Sequence, residues 1–159
     1  MYVEGNYDNI NNMNTKEEII NKCKKFFKMN ASYYELDKVF LYGSWARGFP
    51  RQDSDIDIAV MFFEELPQDM AFERITTMTL SLSHELGLEV NIISIHREFN
   101  EPMLYYNAII LGEPLFIRDY QGYIDLKNEA IYQMEDFTIF GIDWQLKVAR
   151  KNLEEIRHA

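Results

Sequence analysis

Two carboxylates and a glycine–serine pair carry the most chemistry in this chain. Gly43-Ser44 is followed, after ten residues, by Asp55-Ile56-Asp57. On a strand, residues two apart project to the same side, so Asp55 and Asp57 would share one face. Like charges at that range repel, and a divalent cation between them relieves the repulsion. Mg²⁺ suits such a pair, because it keeps several waters and takes only one or two carboxylates together with phosphate oxygens. Gly43 lets the backbone approach a ligand closely. Ser44 supplies a hydroxyl and an N–H, and a short helix starting there would turn free N–H groups toward phosphate. Arg47, one turn on, and Arg51, shortly before the acidic strand, are candidates to hold a polyphosphate. A phosphate loop facing a metal-binding carboxylate pair is the equipment for phosphoryl or nucleotidyl transfer. Taken singly, each feature reads as a turn or a wet strand end. The combination is what points to chemistry.

The elements that must position these residues follow from periodicity. Residues 1–14 are rich in Asn and lack an apolar period, which predicts a flexible arm. Thr15 with Glu18 forms a capping box that predicts a helix start. Ile19, Ile20, Cys23, Phe26 and Phe27 mark its apolar face, with Lys22, Lys24, Lys25 and Lys28 on the solvated side. The run KVFLYG, 38–43, reads as a buried strand ending at Gly43. DIDIAVMFF, 55–63, alternates and then turns wholly apolar, a strand wet at one end and buried at the other. Pro67 and Asp69 open a second helix that Gly87 ends. LEVNIISI, 88–95, is a third strand. MLYYNAIIL after Pro102 is a short helix, and LFIRD a short edge strand. From about Tyr120 the pattern is helical, with a break expected at Gly141 and a final helix capped by Asp143. The fold class is therefore α/β, with three units: an arm over 1–14, a catalytic domain over 15–119 and a helical extension over 120–159.

Composition narrows the function classes. The 159 residues are 47% apolar and 26% charged, enough for one ordinary core. A net charge of -10 argues against nucleic-acid binding. One cysteine, Cys23, excludes an intrachain disulfide and a cysteine zinc site and suits a reducing cytoplasm. The N-terminus lacks the basic and apolar regions of a signal peptide. No apolar run approaches the roughly 18 residues a membrane helix needs.

The stretch LYGSWARGFPRQDSDIDIAV resembles the signature of the minimal nucleotidyltransferase family, a branch of the polymerase-beta-like nucleotidyltransferases. The family pattern, Gly-Ser, ten residues, Asp-x-Asp, is met at Gly43, Ser44, Asp55 and Asp57, and the Ala46-Arg47-Gly48 run is also typical. The resemblance spans roughly residues 15–119. It implies a short mixed sheet flanked by helices, with Asp55 and Asp57 as Mg²⁺ ligands and catalytic residues, and with Gly43, Ser44, Arg47 and Arg51 as nucleotide-binding residues. It further implies transfer of AMP from ATP with release of pyrophosphate. Many minimal members are antitoxins paired with a HEPN toxin, and some adenylylate a toxin tyrosine, which makes a HEPN-type toxin the expected partner.

One position departs from the family pattern. The family usually carries a third Asp in the next strand, where this chain has Asn91. An amide is a weak Mg²⁺ ligand and a poor base, and Glu89 lies two residues earlier on the same face. Three outcomes stay open: an active enzyme using Glu89 or water, a slow enzyme, or a nucleotide-binding antitoxin that acts by complex formation. A small-molecule nucleotidyltransferase of the aminoglycoside type is a further alternative, though the extension offers little room for an acceptor domain.

Other residues carry less. His84, His96 and His158 lack metal spacing, and Cys23 reads as a core thiol. Arg97 follows His96 at the end of the third strand. Trp45 could stack on a base or pack beneath the loop. The aromatic residues of the 120–159 extension suggest a partner-facing surface, for a toxin or for a homo-oligomer.

Overall fold

The computed structural model describes residues 7–48, 50 and 54–157. Helix α1 spans Tyr7–Asn30 and leads into strand β1, Leu36–Tyr42. The one-turn helix α2, Ser44–Arg47, precedes β2, Ile56–Phe62. Helix α3, Gln68–Leu86, connects to β3, Val90–Ser94. Helix α4, Pro102–Ile109, β4, Glu113–Ile117, and the long α5, Tyr120–Arg157, complete the chain.

The four strands form one sheet in the order β3-β2-β1-β4. β1 is antiparallel to both β2 and β4, while β2 and β3 are parallel and joined through α3. The sheet is therefore mixed and flanked by helices, as expected, and LFIRD supplies its edge.

Alternation along the strands divides the core in two. Val39, Leu41, Ile56, Ile58, Val60, Val90 and Ile92 pack beneath α1 and α3. Phe40, Ala59 and Met61 point the other way, against Tyr105, Ala108 and Ile109 of α4 and Tyr123, Leu126 and Ala130 of α5. Covering on both faces is why β2 becomes continuously apolar after Asp57. α3 ends where predicted, with Gly87 in the left-handed conformation at φ 66°.

Three sequence expectations need correction. α1 begins at Tyr7 rather than Thr15, so residues 7–14 are helical and only 1–6 of the expected arm lie outside the described residues. Asn is a mediocre helix former but no breaker, and neither Gly nor Pro interrupts 7–14. α5 runs unbroken through Gly141. A single helical glycine costs about 1 kcal/mol relative to Ala, which weakens a helix without ending it. Finally, the extension is not wholly outward-facing: its first three turns bury Tyr123, Leu126 and Ala130 in the second core cluster.

Candidate active site

The open end of β2 places the acidic pair. Asp57 is paired across the sheet with Tyr42 of β1 and with Asn91 of β3. Directly paired residues share a face, so Tyr42, Asp57 and Asn91 form a row on the α4–α5 side, with Asp55 one pleat further out. Both carboxylates are partly exposed. Asn91 Nδ2 donates to Asp55 Oδ2 at 3.4 Å.

Electrostatics single out Asp57. Its carboxyl is held above the usual range, first by burial and further by the charge of Asp55, while the amide of Asn91 opposes the shift. Across the row, burial pushes the Tyr42 hydroxyl up to about 12, with Asp57 and Glu101 adding to the effect. Glu101 is the residue that precedes α4. Among the described residues, the charges that act on Asp57 and Tyr42 are all negative, an environment that favours a bound cation.

The loop after β1 completes the site. Gly43 has φ 74° and ψ −151°, a conformation essentially restricted to glycine. A Cβ at this position would lie 2.5 Å from Asp57 Oδ2. The glycine is therefore what allows the loop to pass directly over the carboxylate. Ser44 begins α2 beside it and is partly exposed. Trp45 is buried and donates from Nε1 to the Ser54 carbonyl at 3.1 Å, tying α2 to the entry of β2. Of its two sequence readings, packing beneath the loop is the one observed. Arg47 is exposed in α2's only turn and makes no ion pair among the described residues. Arg51 lies outside the described residues.

Asn91 occupies the position at which the third acidic residue was sought, and it reaches the pair. Glu89 is exposed, and the contact it makes with β2 is through its backbone carbonyl, which accepts from the Ile56 N–H at 2.9 Å. Among the described residues, no group of three or more His, Cys, Asp or Glu side chains is placed to hold a metal ion. Two carboxylates with phosphate oxygens and water fit Mg²⁺, whereas an all-protein cage does not form here.

Two residues near the site escaped sequence reasoning. Tyr42 reads as the last residue of a buried strand, and only the antiparallel β1–β2 register puts it against Asp57. Lys16, on α1, brings its Nζ to 3.6 Å from where a Cβ on Gly48 would sit, at the far end of α2. No local signal announces that approach, because α1 is remote in sequence.

The remaining candidates lie elsewhere. His96 and Arg97 are at the opposite end of the sheet: His96 Nε2 lies 3.1 Å from Ser94 Oγ, and Arg97 donates to the Phe63 carbonyl at 2.7 Å. His84 is an exposed residue of α3, and His158 lies outside the described residues. Cys23 is fully buried in the core between α1 and the sheet.

A mixed sheet with this carboxylate pair and glycine–serine loop defines a nucleotidyltransferase fold of the polymerase-beta type. Residues 21–121 match the family model described as Polymerase beta, Nucleotidyltransferase, and the chain belongs to that family. Two Methanocaldococcus jannaschii proteins, both named "Putative protein adenylyltransferase", are similar to it. One is 36% identical over 86 residues, which cover 52% of this chain and 81% of the relative. The other is 35% identical over 78 residues, covering 49% and 83%. Among solved structures, a chain of a toxin–antitoxin crystal structure with AMP-PNP superimposes with a TM-score of 0.63 at 21% identity, covering 81% of this chain and 97% of that one. A chain from the complex of a tri-AMPylated Shewanella oneidensis HEPN toxin with an MNT antitoxin gives 0.59 at 19% identity, covering 84% and 98%. These likenesses establish the fold.

Proposed function

We propose that this nucleotidyltransferase transfers AMP from ATP to a hydroxyl of a partner protein, a tyrosine of a HEPN-type toxin, and acts as the antitoxin of that pair in the cytoplasm. The observation that carries the reading is the Asp55–Asp57–Asn91 cluster beneath the Gly43-Ser44 loop. The names of the curated relatives support a protein acceptor, and the titles of the structural neighbours support a toxin partner.

In this reading Asp55 and Asp57 would hold Mg²⁺, which would supply positive charge to offset that developing on the phosphates. Ser44 donates to a phosphate oxygen, and Arg47 and Arg51 hold the polyphosphate end. The acceptor oxygen attacks the α-phosphorus, the bond to the bridging oxygen breaks, and pyrophosphate leaves. Asn91 orients Asp55 through its amide but has no carboxylate with which to accept the hydroxyl proton. With Asp55 and Asp57 committed to the metal, the proton passes to water. The catalytic domain over 15–119 carries this chemistry, and the exposed outer half of α5, with Phe137, Phe140 and Trp144, meets the toxin.

The test is incubation of the chain with labelled ATP, Mg²⁺ and the product of the neighbouring gene. Label transferred to that protein, lost in Asp55→Ala and Asp57→Ala, is the expected result. A stable complex with no label in the partner under any metal condition refutes transfer. That outcome leaves the second reading, favoured by Asn91, in which the chain binds nucleotide and neutralises its partner by covering it.

A further inference from the structure

The outer half of α5 has a pattern that neither nucleotide binding nor the core accounts for. Ile139, Ile142, Leu146, Ala149, Leu153 and Ile156 recur at alternating intervals of three and four. This is the 3.5-residue period of a coiled-coil seam. The six are exposed, Ile139 at 65% and Ile156 at 72%, and among the described residues no other element covers them. The aromatic residues Phe137, Phe140 and Trp144 fall on the opposite side of the helix, so the seam is a separate surface. A half-helix of this length is marginal in water by itself and needs packing to persist.

The flanking charges indicate what covers it. Asp143 and Arg150 occupy the same heptad position, on one edge of the seam. Neither makes an ion pair among the described residues. Place a second copy antiparallel, with Leu146 opposite Ala149 and the two-fold axis between them. All six seam residues then find seam partners: Ile139 meets Ile156, and Ile142 meets Leu153. In the same register Asp143 of each copy comes beside Arg150 of the other, so one complementary pair is made twice by symmetry. Sliding by one heptad in one direction opposes Asp143 to Asp143, and in the other opposes Arg150 to Arg150. A parallel pairing sets Asp143 and Arg150 against Thr138 and Gln145, which are neutral. The small Ala149 facing the larger Leu146 fills the central layers without collision.

We propose that the outer half of α5 is a self-association site, through which two copies of this chain pair as an antiparallel coiled coil centred between Leu146 and Ala149. The pairing leaves both active-site ends of the two sheets free. It also presents the aromatic side of each α5 outward.

Sedimentation velocity on the full chain alone, across a concentration series, reads the proposal directly, without nucleotide or toxin. The expected result is a concentration-dependent species at twice the 19.0 kDa chain mass. Leu146→Glu, in an exposed stretch remote from the core, returns the chain to monomer with an unchanged thermal transition of the catalytic domain. Arg150→Asp sets acid against acid at both symmetry-related sites and weakens the dimer about tenfold. The swap Asp143→Arg with Arg150→Asp restores it, because the antiparallel pair is re-formed with signs exchanged. A chain that stays monomeric to about 100 μM, the weak end of specific association, overturns the proposal. So does a dimer insensitive to Leu146→Glu. A dimer that Leu146→Glu breaks but charge reversal leaves alone overturns the antiparallel arrangement. If the chain is monomeric and Leu146→Glu instead loses the toxin, the seam belongs to the heteromeric partner and the self-association reading is wrong.

Discussion

Gly43→Ala is the sharpest probe of the site, because the structure gives both a conformational and a steric cost. The new Cβ would sit 2.5 Å from Asp57 Oδ2. Carbon and oxygen tolerate about 3.3–3.6 Å, so loop or carboxylate must give by about 1 Å. The backbone at φ 74° and ψ −151° adds strain of about 1–3 kcal/mol for a residue with a side chain. Chemical denaturation should therefore show a loss of stability in that range or somewhat above it. A 1 Å displacement of a reacting constellation costs roughly a hundredfold in rate, so single-turnover AMP transfer should fall by about that factor. Calorimetric titration of ATP with Mg²⁺ should show weakened binding in parallel. The same substitution in an Asp57→Ala background separates the two costs. With the carboxylate gone, the clash disappears and only the backbone strain remains, so the double-mutant cycle should show positive coupling. Equal stability losses in both backgrounds, or wild-type ATP affinity in Gly43→Ala, would refute the claim that glycine is there to clear Asp57.

Further outcomes follow from the same geometry. Asp57→Asn should abolish Mg²⁺-dependent ATP binding in calorimetry. It should also stabilise the nucleotide-free chain at neutral pH, because a carboxyl whose folded pKa is raised loses stability as pH climbs through that pKa; a destabilised variant contradicts this. Asn91→Asp should raise the single-turnover transfer rate, by about 10²-fold if it restores one acid–base group, with ATP affinity little changed. Glu89→Ala should abolish residual transfer only if Glu89, which the register sets level with Asp55, has taken over the role of the missing carboxylate. Burial pushes the Cys23 thiol from 9.0 up to about 12, with Glu85 adding to it. The stability from keeping this thiol neutral is complete below pH 9 and is lost progressively from there to about 12, at about 1.4 kcal/mol per pH unit. Denaturation at pH 8 and 10.5 should show a smaller alkaline loss for Cys23→Ala than for the wild type, once the cavity cost common to both pH values is removed.

Much of the site was legible because its chemistry is local. Gly43, Ser44, Asp55 and Asp57 lie within one strand–turn–strand unit, and a period of two is enough to put both carboxylates on one face. The same period located all four strands and the α3 stop at Gly87. Helix ends were harder. The Thr15 capping box is a sufficient signal for a start but not a necessary one, and α1 runs on upstream to Tyr7. Gly141 looked like a stop, yet a glycine without a left-handed conformation or a following proline only weakens a helix.

Type and spacing therefore determined the fold class, the acidic pair, the loop beside it and the departure at Asn91. Register decided the rest. The pairing of Tyr42, Asp57 and Asn91 across three strands is non-local, so no window of sequence contains it. It alone establishes that Asn91 reaches the pair, that Glu89 falls level with Asp55, and that Tyr42 and Asp57 share a face. The need for glycine at 43 likewise became specific only when the loop was seen to cross a carboxylate. Tertiary packing also divided α5, whose sequence is amphipathic along its length. Its first turns are buried because α4 and the sheet lie beneath them, and the turns beyond extend past the edge of that core and are exposed.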